Sequence, residues 1–341
     1  MVRTLLVHDN AMLQHIPGGA HPERPQRLQA IREDLLRDPP PGVEWVAPSV
    51  APRAAIERVH VPAYLDLLES VRGRSTWLDG DTGVSAGSIP AMYLAAGAAL
   101  DAVRAVWHRR ADSAFALVRP PGHHSERDRA MGFCLVNNIA VAAALATAEL
   151  ECERVLIVDW DVHHGNGTQQ AFYGRRDVLV FNTHQHPLYP GTGRHDETGA
   201  GEGEGFTINV PLPPGSGDAD FLAVYRDVLV PVADAFRPEL VLVSAGFDAH
   251  RRDPLANLEM TDDGFAALCA IVRDIAARHA SGRVALVLEG GYDLQVLARG
   301  VRGCLDVLGG TEPPPVTGSP TPGAAAVLKA VRSTQGRYWK L

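Results

Sequence analysis

Cysteine is scarce in this chain: Cys134, Cys152, Cys269 and Cys304 stand far apart among 341 residues, and no two form a C-x-x-C pair. That spacing excludes a disulfide framework and a cysteine-ligated zinc site, and it fits a reducing compartment. Positive charge is also in deficit. Lys and Arg number 32 against 40 Asp and Glu, for a formal net charge of −8. Such a balance argues against a nucleic-acid binder. It is compatible with a cationic substrate, although net charge says little about any one cleft. No apolar run approaches the roughly 18 residues of a membrane span. The first residues, Met1 to His8, lack the basic, apolar and small-residue succession of a signal peptide. A cytoplasmic protein with no membrane partner is the expectation.

What is present is a regular alternation. Continuous apolar, β-rich runs fall at 4–7, 114–118, 155–158, 178–181, 240–243 and 284–288. Continuous rather than alternating runs mark parallel strands covered on both faces. Segments 91–107, 139–150, 221–236 and 264–279 lie between them and have helix-forming composition and length. Alternation of this kind predicts an α/β fold with a mostly parallel sheet and helices on both faces. No linker divides the chain, so one domain over 1–341 is expected, with a Pro/Gly/Thr-rich connection at 313–322 before a short last helix at 324–331. The Gly- and Glu-rich segment 191–205 reads as a loop that could rim a site.

Four loops follow predicted strands and carry most of the candidate chemistry. They are Arg119-Pro120-Pro121-Gly122-His123-His124, Asp159-Trp160-Asp161-Val162-His163-His164-Gly165-Asn166, Ser244-Ala245-Gly246-Phe247-Asp248, and Glu289-Gly290-Gly291-Tyr292. In a parallel sheet all four reach one edge, the edge where open α/β sheets place ligands. Asp161 and His163 are two apart, so an extended segment turns them the same way. With Asp248 they would make three protein ligands and leave a position open for water and substrate, the plan of a catalytic zinc site. Oxygen and imidazole donors of this kind suit other divalent ions too. Another carboxylate two residues after His163 would point to a second metal; Gly165 stands there, so one metal is expected.

The tandem His123-His124 is the candidate acid/base group, because imidazole can take a proton from water and return it to a leaving amine. Asp159 is placed to orient His123, and Asn166 to accept from His124. An amide leaves its histidine less basic than a carboxylate does, which makes His124 the better acid/base candidate. Tyr292, after two glycines, could donate to a substrate carbonyl. Gly132 and Phe133 could wall an apolar channel with Phe206 and Leu255. Cys134, beside the histidines, reads as a buried structural thiol rather than a nucleophile.

These residues, in this order, resemble the zinc-dependent histone deacetylase family, bacterial acetylpolyamine amidohydrolases included. The match runs from His21-Pro22-Glu23-Arg24-Pro25 to Tyr292. The resemblance implies the arginase/deacetylase fold, an eight-stranded parallel sheet flanked by helices. It implies one Zn²⁺ on Asp161, His163 and Asp248, the histidine pair as acid/base and electrostatic partner, and Tyr292 as carbonyl polariser. It also implies K⁺ or Na⁺ near Asp159, Asp161, His163 and Asn182, where Asn182-Thr183 departs from the usual Ser-Leu, and a second such site near Phe172, Arg175 and Val178. Asn166 resembles the class II branch. Polyamine-selective members carry Glu after the Asp-Pro that follows the third ligand; here Leu255 follows Asp253-Pro254, as in acyl-lysine deacetylases. Asp79, Asp81, Glu202 or Glu204 could still charge the rim. The implied substrates are therefore an acylated lysine or an acylated polyamine. A non-catalytic ligand-binding member of the fold is the remote alternative, and a homo-oligomer remains open.

Overall fold

The computed structural model describes residues 2–341. Its centre is one eight-stranded sheet: β1 (Thr4–Val7), β2 (Val43–Val46), β3 (Ser113–Ala116), β4 (Val155–Asp159), β5 (Val178–Gln185), β6 (Thr207–Leu212), β7 (Leu240–Ala245) and β8 (Val284–Leu288). The order across the sheet is β2-β1-β3-β8-β7-β4-β5-β6, and every neighbouring pair is parallel. The central strands are buried throughout, which is why they read as unbroken Val/Ile/Leu runs. The four site-bearing loops leave β3, β8, β7 and β4, which are four adjacent strands at the middle of the sheet.

Two strands are absent from the sequence reading, β2 and β6, and both are edge strands. The first is half-exposed. The second is interrupted by Asn209 and Pro211, and a proline is tolerable where one side of the strand has no partner. The outer side of β6 is covered by the helix Pro322–Gln335, longer than the expected 324–331. Gln335 Nε2 donates to the Thr207 carbonyl (2.9 Å), and Trp339 Nε1 to that of Gly205 (2.8 Å).

Several helices lie outside the expected segments, the longest being Gln26–Arg37 and Leu294–Leu308. The expected helix at 221–236 is helical throughout but contains a wider turn at Tyr225–Leu229, where Val230 N donates to Tyr225 O. Pro231 follows at once and has no N–H for the regular ladder, which accounts for the widening there. The helix Ser88–Trp107 corrects the expectation about apolar runs: it is long and apolar enough to cross a membrane, with a mean hydropathy of 1.3. It is Ala-rich and mostly buried, packed against the sheet and the helix Asn138–Glu149. A core helix of this composition satisfies the same length criterion as a span.

Candidate active site

Asp161 and His163 extend from β4, and Asp248 follows β7. One donor atom from each lies within 4.8 Å of the others. His163 Nδ1 is 3.1 Å from Asp161 Oδ1 and 3.2 Å from Asp248 Oδ2. The outer oxygens are fixed by backbone: Asp161 Oδ2 accepts from Gly290 N (2.8 Å) and Asp248 Oδ1 from Val162 N (2.9 Å). Asp248 Oδ2 is buried and has no hydrogen bond. Two buried carboxylates converging on one imidazole nitrogen are a donor set suited to a divalent cation. Burial and the charge of Asp161 push Asp248 upward. For Asp161, burial is outweighed by His123 and His163, which hold it well below the usual carboxylate range.

Two glycines are required here by space. A Cβ on Gly246 would lie 2.1 Å from Asp161 Oδ2, and one on Gly290 2.1 Å from Asp248 Oδ2. Any side chain at either position would displace a ligand carboxylate.

The tandem histidines turn their Nδ1 atoms to different partners. His123 Nδ1 is 3.0 Å from Asp159 Oδ2, and His124 Nδ1 is 2.8 Å from Asn166 Oδ1, with ring centroids 4.0 Å apart. Burial alone would lower His123, but the carboxylates of Asp161 and Asp159 hold it well above the ordinary imidazole value. His124 is held well below it, first by burial and then by the charge of His123 and His163. The partners are those the donor and acceptor types suggest, but the low value of His124 comes first from burial and not from the amide, whose hydrogen bond acts in the opposite direction.

Tyr292 meets Phe133, ring centroids 5.9 Å apart at 88°, and the Arg27 guanidinium lies over its ring at 5.0 Å from the centroid. Its backbone N–H donates to Asp253 Oδ2 (2.7 Å). Burial pushes the phenol well above its ordinary value, so the group stays a donor. The pocket over these residues is lined by Gly132, Phe133, Leu188, Tyr189 and Leu255, with Asp81 also contributing. Gly132 and Phe133 both have positive φ, 56° and 69°. A Cβ on Gly132 would lie 2.4 Å from His124 Cδ2, so this turn packs directly on the histidine.

Phe206 does not line the pocket. It packs against Phe236 (5.9 Å) and Trp339 (5.4 Å) in a cleft shared with Arg154 and Arg176. The reason is topological: Phe206 precedes β6 and so lies at the edge of the sheet opposite the site. Tyr189, not singled out in the sequence, stands in the pocket wall where Phe206 is expected, edge-on to His124 at 5.1 Å and 87°. Its loop follows β5 directly, and that position after a parallel strand was the signal available in the sequence. The segment 191–205 supplies no acidic rim through Glu204, which accepts from the Tyr338 hydroxyl (2.7 Å). Asp79 is spent on a turn, accepting from the backbone of Asp81 and Thr82. Cys134 is buried, donates to Gly132 O (3.2 Å) and has its thiol pushed well above the ordinary value by burial, which leaves no thiolate for attack.

Three supporting residues were not foreseen. Glu289 accepts from the backbone of Gly122 (2.7 Å) and His123 (3.2 Å), and burial raises it to about 7. Glu126 accepts from Asn166 Nδ2 (2.7 Å), extending the line from His124. Arg27 Nε donates to Gly291 O (2.7 Å), bracing the turn before Tyr292. The residues of the two implied cation sites lie along β4 and β5. Asn182 is the register partner of Asp159, while Phe172, Arg175 and Val178 surround the turn into β5, where the Phe172 carbonyl accepts from Arg175 N (2.9 Å).

A set of oxygen and imidazole donors, an imidazole pair and a phenol surround one pocket. The histone deacetylase domain family matches residues 21–308. A probable deacetylase of Archaeoglobus fulgidus is 39% identical over 299 residues, 86% of this chain and 82% of the relative. The polyamine deacetylase HDAC10 of Homo sapiens is 39% identical over 342 residues, 93% of this chain but 49% of the relative, so this chain spans about half of that protein. The crystal structure of the HDA15 HD domain matches with a TM-score of 0.94 at 36% identity, covering 99% of this chain and 97% of that one. The chain belongs to the histone deacetylase family and has the arginase/deacetylase fold.

Proposed function

We propose that this protein is a zinc-dependent amidohydrolase that removes acetyl or a related acyl group from a primary amine. The observation that carries the reading is the convergence of Asp161, His163 and Asp248, with donor atoms within 4.8 Å, beneath a pocket that His124 and Tyr292 also line. Zinc held there would polarise the amide carbonyl and lower the pKa of water. His124, donating from Nδ1 to Asn166, keeps Nε2 free to take a proton from the attacking water and to pass it to the leaving nitrogen. His123, its pKa held up by Asp161 and Asp159, adds positive charge beside a His124 that burial already lowers. The Tyr292 hydroxyl donates to the carbonyl oxygen as negative charge develops on it. Phe133 and Tyr189 enclose the aliphatic arm and exclude water, with Leu255 at the mouth.

A monovalent cation belongs to the same proposal, and the observation that supports it is at Asn182. His184 has Asn182 Oδ1 at 2.5 Å from Nδ1 and Gly193 O at 3.0 Å from Nε2, yet a neutral imidazole has one N–H. Asn182 Nδ2 is buried without a partner. Turning the amide over gives His184 its donor and leaves a carbonyl oxygen beside Asp159, the type of ligand that K⁺ or Na⁺ takes.

The deciding experiment compares kcat/KM for an acetyl-lysine peptide with that for N-acetylated polyamines on zinc-loaded protein, with a chelator control. Preference for the peptide makes Leu255 the informative position and the protein a lysine deacetylase. Preference for polyamines moves it to the polyamine branch. Turnover of neither, with zinc bound, rejects the reading.

A further inference from the structure

His124 can act as a base only through a ring nitrogen that carries no hydrogen. A neutral imidazole has one N–H, and the partner of one nitrogen decides which of the two bears it. His124 Nδ1 has Asn166 as its partner, 2.8 Å away. Asparagine is an ambiguous partner, because its two ends are alike in shape and opposite in hydrogen bonding. With the oxygen turned to the ring, Nδ1 holds the hydrogen and Nε2 is bare. With the NH2 turned to it, Nδ1 must accept and the hydrogen sits on Nε2. In that state Nε2 has no lone pair with which to take a proton from water.

The choice is made at the far end of the amide. Asn166 Nδ2 has three partners: Glu126 Oε1 at 2.7 Å, the His124 carbonyl at 3.3 Å and Met131 Sδ at 3.3 Å. All three are acceptors, so an amide oxygen turned towards them would meet only lone pairs. Glu126 is the strongest of them, being both charged and nearest. Its two oxygens are divided between tasks. Oε1 serves Asn166, while Oε2 accepts from Arg129 Nε (2.8 Å) and Gln170 Nε2 (3.3 Å). The backbone of Glu126 is tied as well. Its N–H donates to Arg129 O (3.1 Å), and its carbonyl accepts from His60 Nδ1 (2.8 Å). The side chain is only 13% exposed. A carboxylate held in this way permits the amide one orientation.

We propose that Glu126 is a positioning residue: it holds the NH2 of Asn166 and thereby fixes the hydrogen of His124 on Nδ1, leaving Nε2 bare. The inference rests on the deacylase reading above, in which His124 is the base. Glu126 is not among the residues that line the pocket, and it acts only through the amide. What it sets is which nitrogen is available, a separate matter from how basic that nitrogen is. An asparagine in this position needs such a partner, whereas an aspartate would not, because a carboxylate has an oxygen at both ends.

Nitrogen-15 labelling of the histidines in the full, zinc-loaded chain gives the first readout, since ring-nitrogen shifts separate the two tautomers without turnover. The His124 signals, assigned by their loss in His124→Ala, should show the hydrogen on Nδ1. Glu126→Lys replaces the acceptor with a donor. The amide should then turn over, the hydrogen should move to Nε2, and kcat should fall about 100-fold or more, with KM and zinc binding little changed. Glu126→Gln still offers an amide oxygen and should lose far less. Adding Asn166→Asp to Glu126→Lys should recover most of the loss, which a merely structural role for Glu126 would not allow. If Glu126→Lys fails to fold, Glu126→Leu, which leaves the amide unheld, takes its place with the same rescue. A hydrogen on Nε2 in the unsubstituted protein overturns the proposal. So does a variant that keeps both tautomer and rate, or a loss that Asn166→Asp does not recover. The expected tautomers without turnover of any acylated amine would sink the deacylase reading and leave the role of Glu126 standing.

Discussion

His124 and Asn166 are joined by a 2.8 Å hydrogen bond from ring nitrogen to amide oxygen, and the far end of that amide donates to Glu126 at 2.7 Å. His124 thus has a neutral hydrogen-bond partner that is itself anchored to a carboxylate, while burial and then the charge of His123 and His163 hold its pKa down. Asn166→Asp would put the charge one step closer and raise His124. The acid limb of the kcat/KM profile should then move to higher pH, because the base is lost to protonation sooner as pH falls. A pH–rate series on the variant checks this, and an unmoved acid limb would mean that His124 is not the base.

Tyr292 has no role in holding the fold that a phenyl ring would not fill, since its packing against Phe133 and Arg27 is through the ring. Tyr292→Phe should lower kcat by about 10²–10³-fold, the usual loss for an oxyanion donor, with Tm unchanged. His124→Ala should be at least as damaging. Near-normal rates in both would end the proposed mechanism.

Metal removal should be read on stability as well as on rate. Without a cation, Asp161 and Asp248 are buried together against His163, and burial first, then the charge of Asp161, pushes Asp248 upward. Chelation should lower Tm, and added zinc should restore it. Asp248→Asn removes one of the opposed charges. Its metal-free form should melt above metal-free unsubstituted protein, and zinc should no longer shift it. Differential scanning fluorimetry with and without chelator gives both comparisons.

His60 offers a pH-dependent stability away from the ligands. Its Nδ1–H donates to Glu126 O (2.8 Å), and its Nε2 accepts from Asn137 N (2.9 Å), so both nitrogens are used only by the neutral ring. Burial lowers its pKa from 6.5 to about 4. The folded value lies below the unfolded one, so this contribution is complete above pH 6.5 and drains away as pH falls towards 4. The slope is about 1.4 kcal/mol per pH unit. Urea unfolding at pH 7 and pH 5 should show the loss, and His60→Gln should flatten it.

The residues that carry chemistry were legible because they follow Val/Ile/Leu runs at the carboxyl ends of buried strands, and those runs are hard to mistake. Partners such as Asp159 for His123 could be inferred from donor and acceptor type. Glu289, Glu126 and Arg27 could not, because each acts across long separations through backbone atoms or another residue's amide. Phe206 misled for a related reason. With β6 unread, its side of the sheet was unknown, and an aromatic residue after a Gly-rich loop resembled a wall.

The covering of β6 by the helix Pro322–Gln335 bears on how the molecule behaves in company. An outermost strand with free backbone groups is a template on which another chain can add a strand. Here Gln335 claims the Thr207 carbonyl and Trp339 that of Gly205, while Pro211 removes a donor from the same strand. The last turn of this helix and the residues after it thereby act as a guard against self-association, and loosening them would cost solubility before it cost catalysis.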